Sequence, residues 1–358
     1  MLLTISKSVK MEVLEVLQTN TLLPANRFRN IQDIQDAIVI DDAIYGVHQM
    51  IEKRSPFIES NTNGILLSEL SRDFIPVFAK DNESTISHSE FVEVVYSALS
   101  MVFPREMLSD VECRVSHKVC GRIPSAVGKP ANQLEDWERT QYFERFAFSI
   151  EVKSITDTIS GNELSLSIVG VRSYNHTNLY GRKGFEVFKL AIGFCNHVCT
   201  NMCINSEDGL LSEILVLNVK DLQMKAIALF QNYNARKHLN LMKQLPQMAI
   251  TESQFATLLG RTRLYQYLPK QQQKQLPLLS FGDSHLNSIA RDYYKDKRFC
   301  KSDDGYLNLW NLHNLFTNAN KNSSYIDTFL DRAGNASDFT FGISEALNGK
   351  TGYRWFIE

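Results

Sequence analysis

Two short motifs in the chain combine arginine with tyrosine, a pairing suited to binding single-stranded nucleic acid. Guanidinium groups contact phosphates, and aromatic rings stack on bases. In the structural alternative, the arginines pair with surface carboxylates and the tyrosines pack at the sheet edge. If both motifs serve one ligand, their arginines should share one concave, positively charged surface. The candidate nucleic-acid-binding residues are Arg172, Tyr174, Asn175 and Arg182 in the first motif, and Arg261, Arg263 and Tyr265 in the second.

A second candidate site has the chemistry of metal-dependent nucleases. Glu151 and Lys153 follow an apolar strand with the E-x-K spacing of such enzymes. The carboxylate would hold the metal, and the lysine would stabilise the developing charge on phosphorus. Asp136 is the nearest upstream candidate for the second carboxylate that this chemistry needs. Because charged residues commonly end strands, a metal-dependent nuclease using Glu151 and Lys153 is kept as an alternative function.

A cysteine and histidine cluster resembles a metal site in spacing only. Cys195, His197, Cys199 and Cys203 follow one another within nine residues. Residues four apart on a straight strand stand roughly 13 Å apart, whereas zinc ligands converge to about 2.3 Å from the ion. We therefore predict buried thiols and no bound metal. The chain also lacks the G-x-G-x-x-G and complete P-loop motifs, so no cofactor is predicted.

The residues that could do chemistry lie on or beside predicted strands in the middle of the chain. Apolar residues fall on every second position in Phe146–Val152, Leu164–Ile168 and Phe188–Phe194. With two shorter runs around residues 111–115 and 214–219, this alternation predicts about five strands. Ser160-Gly161-Asn162 supplies a turn, and the short spacing favours an antiparallel pair.

Helical periodicity dominates after Val219, and one earlier helix is predicted over residues 91–102. Thr251 and Gln254 form a capping box that opens a helix, and Asp283 is a candidate cap for another. The pattern predicts an α+β fold with a mixed or antiparallel sheet followed by a helical C-terminal region. The predicted organisation is an extension or small unit at 1–64, a sheet-rich region at 65–219 and a helical region at 220–358, the last two packed together.

The charge balance excludes a strong global attraction to nucleic acid. The chain has 38 basic and 40 acidic residues among 358, a formal net charge of -2, so only local basic patches could serve. Its start lacks the apolar core of a secretory signal, and no segment approaches the roughly 20 apolar residues of a membrane span. We expect a cytoplasmic protein with no membrane partner.

Several stretches of the chain resemble a known family. They include Gly170–Asn175 (GVRSYN), Val198–Cys203 (VCTNMC), Gly260–Pro269 (GRTRLYQYLP) and Leu309–Phe316 (LWNLHNLF). Together they resemble the Bacteroidetes family known as domain of unknown function 3871, from about Phe74 to about Ala336. The VCTN and WNLxN pieces are also similar to a broader, uncharacterised phage- and plasmid-associated family. His313 stands where these resemblances lead us to expect an aromatic residue.

The resemblance implies a mobile-element context rather than an activity, and it identifies no catalytic residues. Our leading hypothesis is a non-catalytic, nucleic-acid-associated accessory protein of mobile genetic elements. Single-stranded nucleic acid and a host protein are the two candidate partners. A protein-interaction or inhibitor module, such as an anti-defence factor, is the second alternative, and the near-zero net charge fits it well.

Overall fold

An antiparallel sheet forms the centre of the protein and confirms the α+β fold class. The computed structural model describes residues 55–70, 85–174 and 184–358. Within these residues the strands are β1 (Asn63–Ile65), β2 (Glu112–Val115), β3 (Lys118–Arg122), β4 (Arg139–Phe143), β5 (Arg145–Ile159), β6 (Asn162–Ser173), β7 (Glu186–Asn196), β8 (Met202–Cys203), β9 (Leu210–Val216), β10 (Ala249–Thr251) and β11 (Tyr306–Asn308).

The main sheet has seven strands in the order β1–β2–β5–β6–β7–β8, and β9 also pairs with β7. Every pair in it is antiparallel. The β5–β6 hairpin turns at Ser160 and Gly161, which both have positive φ, as the turn chemistry predicts. The register of β9 on β7 shifts between Phe188 and Leu190. In the described part of the chain, no strand pairs with the outer edge of β9.

Both faces of the sheet are buried, which explains the long apolar runs in its central strands. On β5, Phe146, Phe148 and Ile150 lie in the main core, while Ala147 lies in a second core on the opposite face. Such alternation follows from the two-residue period of a strand. Gly170 on β6 is needed for this packing, because a Cβ there would stand 2.2 Å from the Phe148 ring.

Helices cover the sheet and continue to the end of the chain. Their order agrees with the predicted dominance of helix after residue 219. In the described residues they are α1 (Leu67–Leu70), α2 (His88–Val102), α3 (Val219–Asn232), α4 (Ala235–Gln244), α5 (Glu252–Tyr265), α6 (Lys270–Gln273), α7 (Asp283–Lys295), α8 (Leu309–Ser323) and α9 (Ile326–Leu347).

The two faces are covered by different helices. Helices α2 and α3 pack beside each other, and Gln223 Nε2 donates to Ser97 Oγ at 3.1 Å. Their buried residues belong to the main core, which also takes in α5, α7 and α8. The first turns of α9 cover the second face through Phe329 and Leu330, together with Phe57 and Ile58.

Local capping sequences fix where several helices begin. Ser87 caps α2, and Thr251 caps α5 with a reciprocal bond to Gln254, as the sequence predicts. The predicted cap at Asp283 is displaced by one residue. Helix α7 already begins at Asp283, and Gly282 is its N-cap; the Gly282 N–H donates to His285 Nδ1 at 3.2 Å.

Residues 55–358 form one compact unit in which sheet and helices share the main core. Phe57 and Ile58 lie in a core of this unit, so residues 55–64 pack with it. Residues 1–54, most of the predicted N-terminal extension, lie outside the described residues. Among the helices that the structure describes, none is long and apolar enough to cross a membrane.

Four buried histidines of the described residues are held in the neutral form, and in His285 burial, followed by Arg332, lowers the pKa to about 4. Burial, and then the nearby Arg172, lower the pKa of His88 to about 3. Burial, assisted by His313, lowers the pKa of His238 to about 3, and burial alone lowers that of His313 to about 4. An unfolded histidine titrates near 6.5. The unfolded chain therefore binds protons between pH 6.5 and these values, whereas the folded chain does not.

We expect the free energy of unfolding to fall as the pH drops below about 6.5, by up to about 1.4 kcal/mol per pH unit for each histidine. His313 stacks on Trp310 at 5.9 Å. Replacing it removes one of these groups, so the free energy of unfolding should fall less steeply with pH, by the contribution of one proton. Urea unfolding of wild type and His313→Phe between pH 4.5 and 6.5 measures the difference. Equal slopes for the two proteins would contradict the assignment.

Candidate functional site

Arg172 lies inside the protein rather than on a binding surface. It is 1% exposed and forms a buried ion pair with Glu186 on the neighbouring strand β7. Its Nη1 donates to the carbonyl oxygen of Ile86, and the N–H of Ile86 donates to Glu186 Oε1 at 3.1 Å. The ion pair thus holds the chain just before α2 against the end of β6 and the start of β7.

The tyrosines of both motifs are also buried. Tyr174 is 2% exposed and lies 4.3 Å from the Arg172 guanidinium, a cation–π contact inside the core. Tyr265 is 4% exposed, and its hydroxyl accepts from the N–H of Leu279 at 3.4 Å. Neither ring offers a face for stacking on a base in this structure. Asn175 and Arg182 lie outside the described residues.

The two arginines of α5 remain at the surface and point in different directions. Arg261 is half-buried, with its guanidinium 5.0 Å from the ring of Trp355. Arg263 is exposed, and its Nε lies 3.3 Å from Asp283 Oδ1. Residues two apart on a helix do not share a face. With Arg172 buried, the structure does not gather the predicted arginines on one surface.

The nuclease alternative lacks the acidic partners it needs. The Glu151 carboxylate accepts from Ser165 Oγ at 3.2 Å and lies 3.5 Å from His197 Nε2. Asp136 is fully exposed and pairs with Arg139 at 3.9 Å. Within residues 55–70, 85–174 and 184–358, no three His, Cys, Asp or Glu side chains are placed to hold a metal ion. Glu151 and Lys153 therefore gain no support as a metal site.

The cysteine and histidine segment contacts helix α8. Strand β7 ends at Asn196, and the turn that follows carries His197 and Cys199. Buried Lys321 of α8 donates to the carbonyl oxygen of Cys199 at 2.8 Å. Burial raises the pKa of the Cys199 thiol to about 11, so this thiol is protonated at neutral pH and is a poor nucleophile.

Three buried asparagines, which we call the Asn314 cluster, join this turn to α8. The Asn314 side-chain oxygen accepts from Asn196 Nδ2 at 3.2 Å and from Asn201 Nδ2 at 3.4 Å. Asn201 Nδ2 also donates to the Asn314 backbone carbonyl at 3.1 Å. The VCTN and WNLHN stretches, quoted above for their family resemblance, are therefore in direct contact. The sequence signal for this contact is an asparagine among apolar residues of a helix, because a buried amide requires hydrogen-bond partners.

An exposed basic and aromatic surface remains where α5 meets α6, and we call it the α5–α6 corner. Sequence reasoning identified Arg263 there and Arg261 beside it, but it missed two aromatic side chains. Tyr267 is 73% exposed, and Trp355 reaches α5 from the end of the chain. The corner comprises Arg263, Tyr267, Lys270 and Lys274, while Arg261 and Trp355 lie beside it on another face of α5.

These features define an α+β protein that, in its described residues, has no metal cluster. The model of the family described as "Domain of unknown function, B. Theta Gene description (DUF3871)" matches residues 34–357. The chain belongs to this family. No curated protein and no solved structure matches the chain.

The Arg172–Glu186 pair yields a stability prediction. Arg172→Met leaves the Glu186 carboxylate buried without its guanidinium, which typically costs about 3–5 kcal/mol. Adding Glu186→Gln should recover part of this loss, because Gln is neutral and can still accept from the Ile86 N–H. Urea unfolding at pH 7 measures both, with Arg291→Ala at an exposed pair as control. A loss below about 1 kcal/mol for Arg172→Met would contradict a structural role.

Proposed function

We propose that this protein binds single-stranded nucleic acid, without catalysis, through the α5–α6 corner. The observation that supports the proposal is an exposed pair: Arg263 in the last turn of α5 and Tyr267 two residues beyond its end, both of which approach the Asp283 carboxylate. Proteins that bind single strands combine cations that follow the backbone with aromatic rings on which bases stack. Arg172, Tyr174 and Tyr265 are not part of this proposed surface, because they are buried.

The carboxylate of Asp283 contacts both Arg263 and Tyr267 and leaves both side chains exposed. Asp283 lies 3.3 Å from Arg263 Nε and accepts from the Tyr267 hydroxyl at 3.5 Å. The side chain of Arg263 is nevertheless 63% exposed. Its terminal nitrogens can therefore contact a phosphate while the Tyr267 ring stacks on the adjacent base.

Further cations extend the surface. Arg261 is not one of them, because its guanidinium lies over the Trp355 ring on another face of α5. Lys270 and Lys274 are exposed on α6 and the residue after it. Gln273 Nε2 donates to the Tyr265 carbonyl at 3.1 Å and so keeps α6 against the end of α5. Buried Tyr265 thus supports the surface from beneath.

We further propose that the protein acts in the cytoplasm as an accessory protein of mobile genetic elements. This part rests on the resemblance of the VCTN and WNLHN stretches to phage- and plasmid-associated proteins. Replication, recombination or transfer genes beside its gene would support it, whereas neighbouring anti-restriction genes would favour an inhibitor of a host protein.

The proposal predicts weak binding with a shallow salt dependence, because the net charge of -2 gives little long-range attraction. Two to four phosphate contacts give a slope of log affinity against log salt of roughly -1.5 to -3. Arg263→Ala should reduce the slope by about 0.7. Tyr267→Ala should lower affinity by about 1–3 kcal/mol and leave the slope unchanged. Fluorescence anisotropy with labelled oligonucleotides across a salt series measures both quantities.

Two variants control for charge and for aromatic loss elsewhere. Arg291→Ala removes an equal charge from an exposed arginine paired with Asp292, and Tyr306→Ala removes another exposed tyrosine. Both should bind like the wild type. Absence of binding at low salt, or equal losses in the control and corner variants, would overturn the proposal.

An exposed apolar surface favours a protein partner as a second candidate function. Its side chains are exposed residues of α2, of α3 and of the segment that leads into α3. Surfaces of this kind mark interaction sites when apolar side chains cluster rather than scatter. Its large exposed hydrophobic residues are Tyr96, Met101, Leu215, Leu217, Val219 and Met224.

Charge substitution within this apolar surface tests the second candidate. A protein retained by the tagged chain should be lost with the double variant Met101→Glu and Met224→Glu, because burying the new charges is costly. Leu278→Glu, at another exposed apolar residue, should retain it. Affinity purification from the native host followed by mass spectrometry compares the three proteins. Equal recovery with all of them would exclude this surface.

A further inference from the structure

A polar cleft of about 590 Å³ lies where β2 ends and β5 begins. We call it the strand-end cleft. One wall is the segment 59–63 that leads into β1, and another is the start of α9. Its volume falls within the roughly 300–1,000 Å³ typical of small-molecule sites. Its lining residues are Glu59, Ser60, Asn61, Thr62, Asn63, Ser116, His117, Arg145, Tyr325 and Ile326.

The walls of the cleft are fixed by contacts outside it. Arg114 donates to the Thr62 hydroxyl through Nε at 3.0 Å and to the Thr62 carbonyl at 2.9 Å. The N–H groups of Glu59 and Ser60 donate to the carbonyl oxygen of Lys321 at 3.1 and 3.4 Å. The segment 59–63 is therefore held at both of its ends before any ligand arrives.

The charges around the cleft oppose a strongly ionic ligand. Arg145 already lies 3.5 Å from Glu144 and 3.6 Å from Asp327, and Glu59 also lines the cleft. An added anion would face these carboxylates, and an added cation would face the guanidinium. Both charged side chains already have partners, because Glu59 Oε1 lies 3.5 Å from Lys321 Nζ and Arg145 pairs with Glu144 and Asp327.

Polar groups of both hydrogen-bonding kinds line the space. The amides of Asn61 and Asn63 each offer two donors and an acceptor, and the Ser60 hydroxyl offers both functions. Asn61 and Asn63 are exposed, so these groups are available to a ligand. A ligand whose hydroxyls each donate and accept would match this mixed set better than a group with acceptors only.

Tyr325 adds an apolar platform at the edge of the cleft. Its side chain is 61% exposed although it is the residue before the first turn of α9. Aromatic rings combine a large apolar face with a polar hydroxyl. Such a ring can pack on the C–H face of a sugar ring while the sugar hydroxyls reach the amides.

We propose that the strand-end cleft binds a neutral, hydroxyl-rich ligand of the size of a mono- or disaccharide, with its ring packed on Tyr325. This inference is independent of nucleic-acid binding at the α5–α6 corner, because the two surfaces share no residue. The amides and Arg145 would contact the hydroxyl groups.

Saturation-transfer NMR on the full-length protein tests the inference. The probes are glucose, galactose, mannose, maltose and lactose at millimolar concentration, with glucuronate and glucosamine as charged comparators. At least one neutral sugar should show transfer that saturates with concentration. Tyr325→Ala should weaken that binding roughly tenfold, and Asn63→Ala should weaken it as well.

Tyr306→Ala is the matched control, because it removes an exposed tyrosine from β11 and should leave sugar binding unchanged. Thermal unfolding of each variant verifies that it is folded. Three outcomes would each overturn the proposal. They are no transfer to any neutral sugar, stronger binding of glucuronate or glucosamine, and binding that Tyr325→Ala and Asn63→Ala leave intact.

Discussion

The side chain of Asn314 fixes how the helical part of the protein sits on the sheet. It is completely buried, and its oxygen accepts from Asn196 and Asn201 at the far end of β7. A buried amide left without partners costs about 1–3 kcal/mol, so α8 has one favoured register against this turn. Because α9 follows α8 after two residues, the same contact determines where α9 crosses the second face. The strand-end cleft, which the start of α9 closes, depends on it in turn.

The buried ion pair of Arg172 shows how a binding motif and a structural motif can share one sequence. Arginine beside tyrosine suits a nucleic-acid surface, but it also suits a core in which the guanidinium packs on a ring and pairs with a carboxylate. In this protein the carboxylate is Glu186, fourteen residues further along, and the ring is that of Tyr174. The exposed pair Arg263 and Tyr267 uses the same residue types on a surface.

Much of the fold could be predicted from the sequence because its signals are local. The alternation in Phe146–Val152 and the capping box at Thr251 each depend on neighbours within a few residues, and both are confirmed. The burial of Arg172 could not be predicted, because it depends on Ile86, which is 86 residues away. Trp355 was missed for the same reason, since it reaches Arg261 only through tertiary packing.

The outer edge of β9 has a consequence for the behaviour of the protein at high concentration. An unpaired strand edge is a template on which another chain can add a strand, and repeated addition produces fibrils. Here the irregular register of β9 interrupts that template. Lys225 Nζ also donates to the carbonyl oxygen of Leu215 at 2.6 Å, so a charged group occupies one of its acceptors. Both features oppose growth of the sheet from this edge.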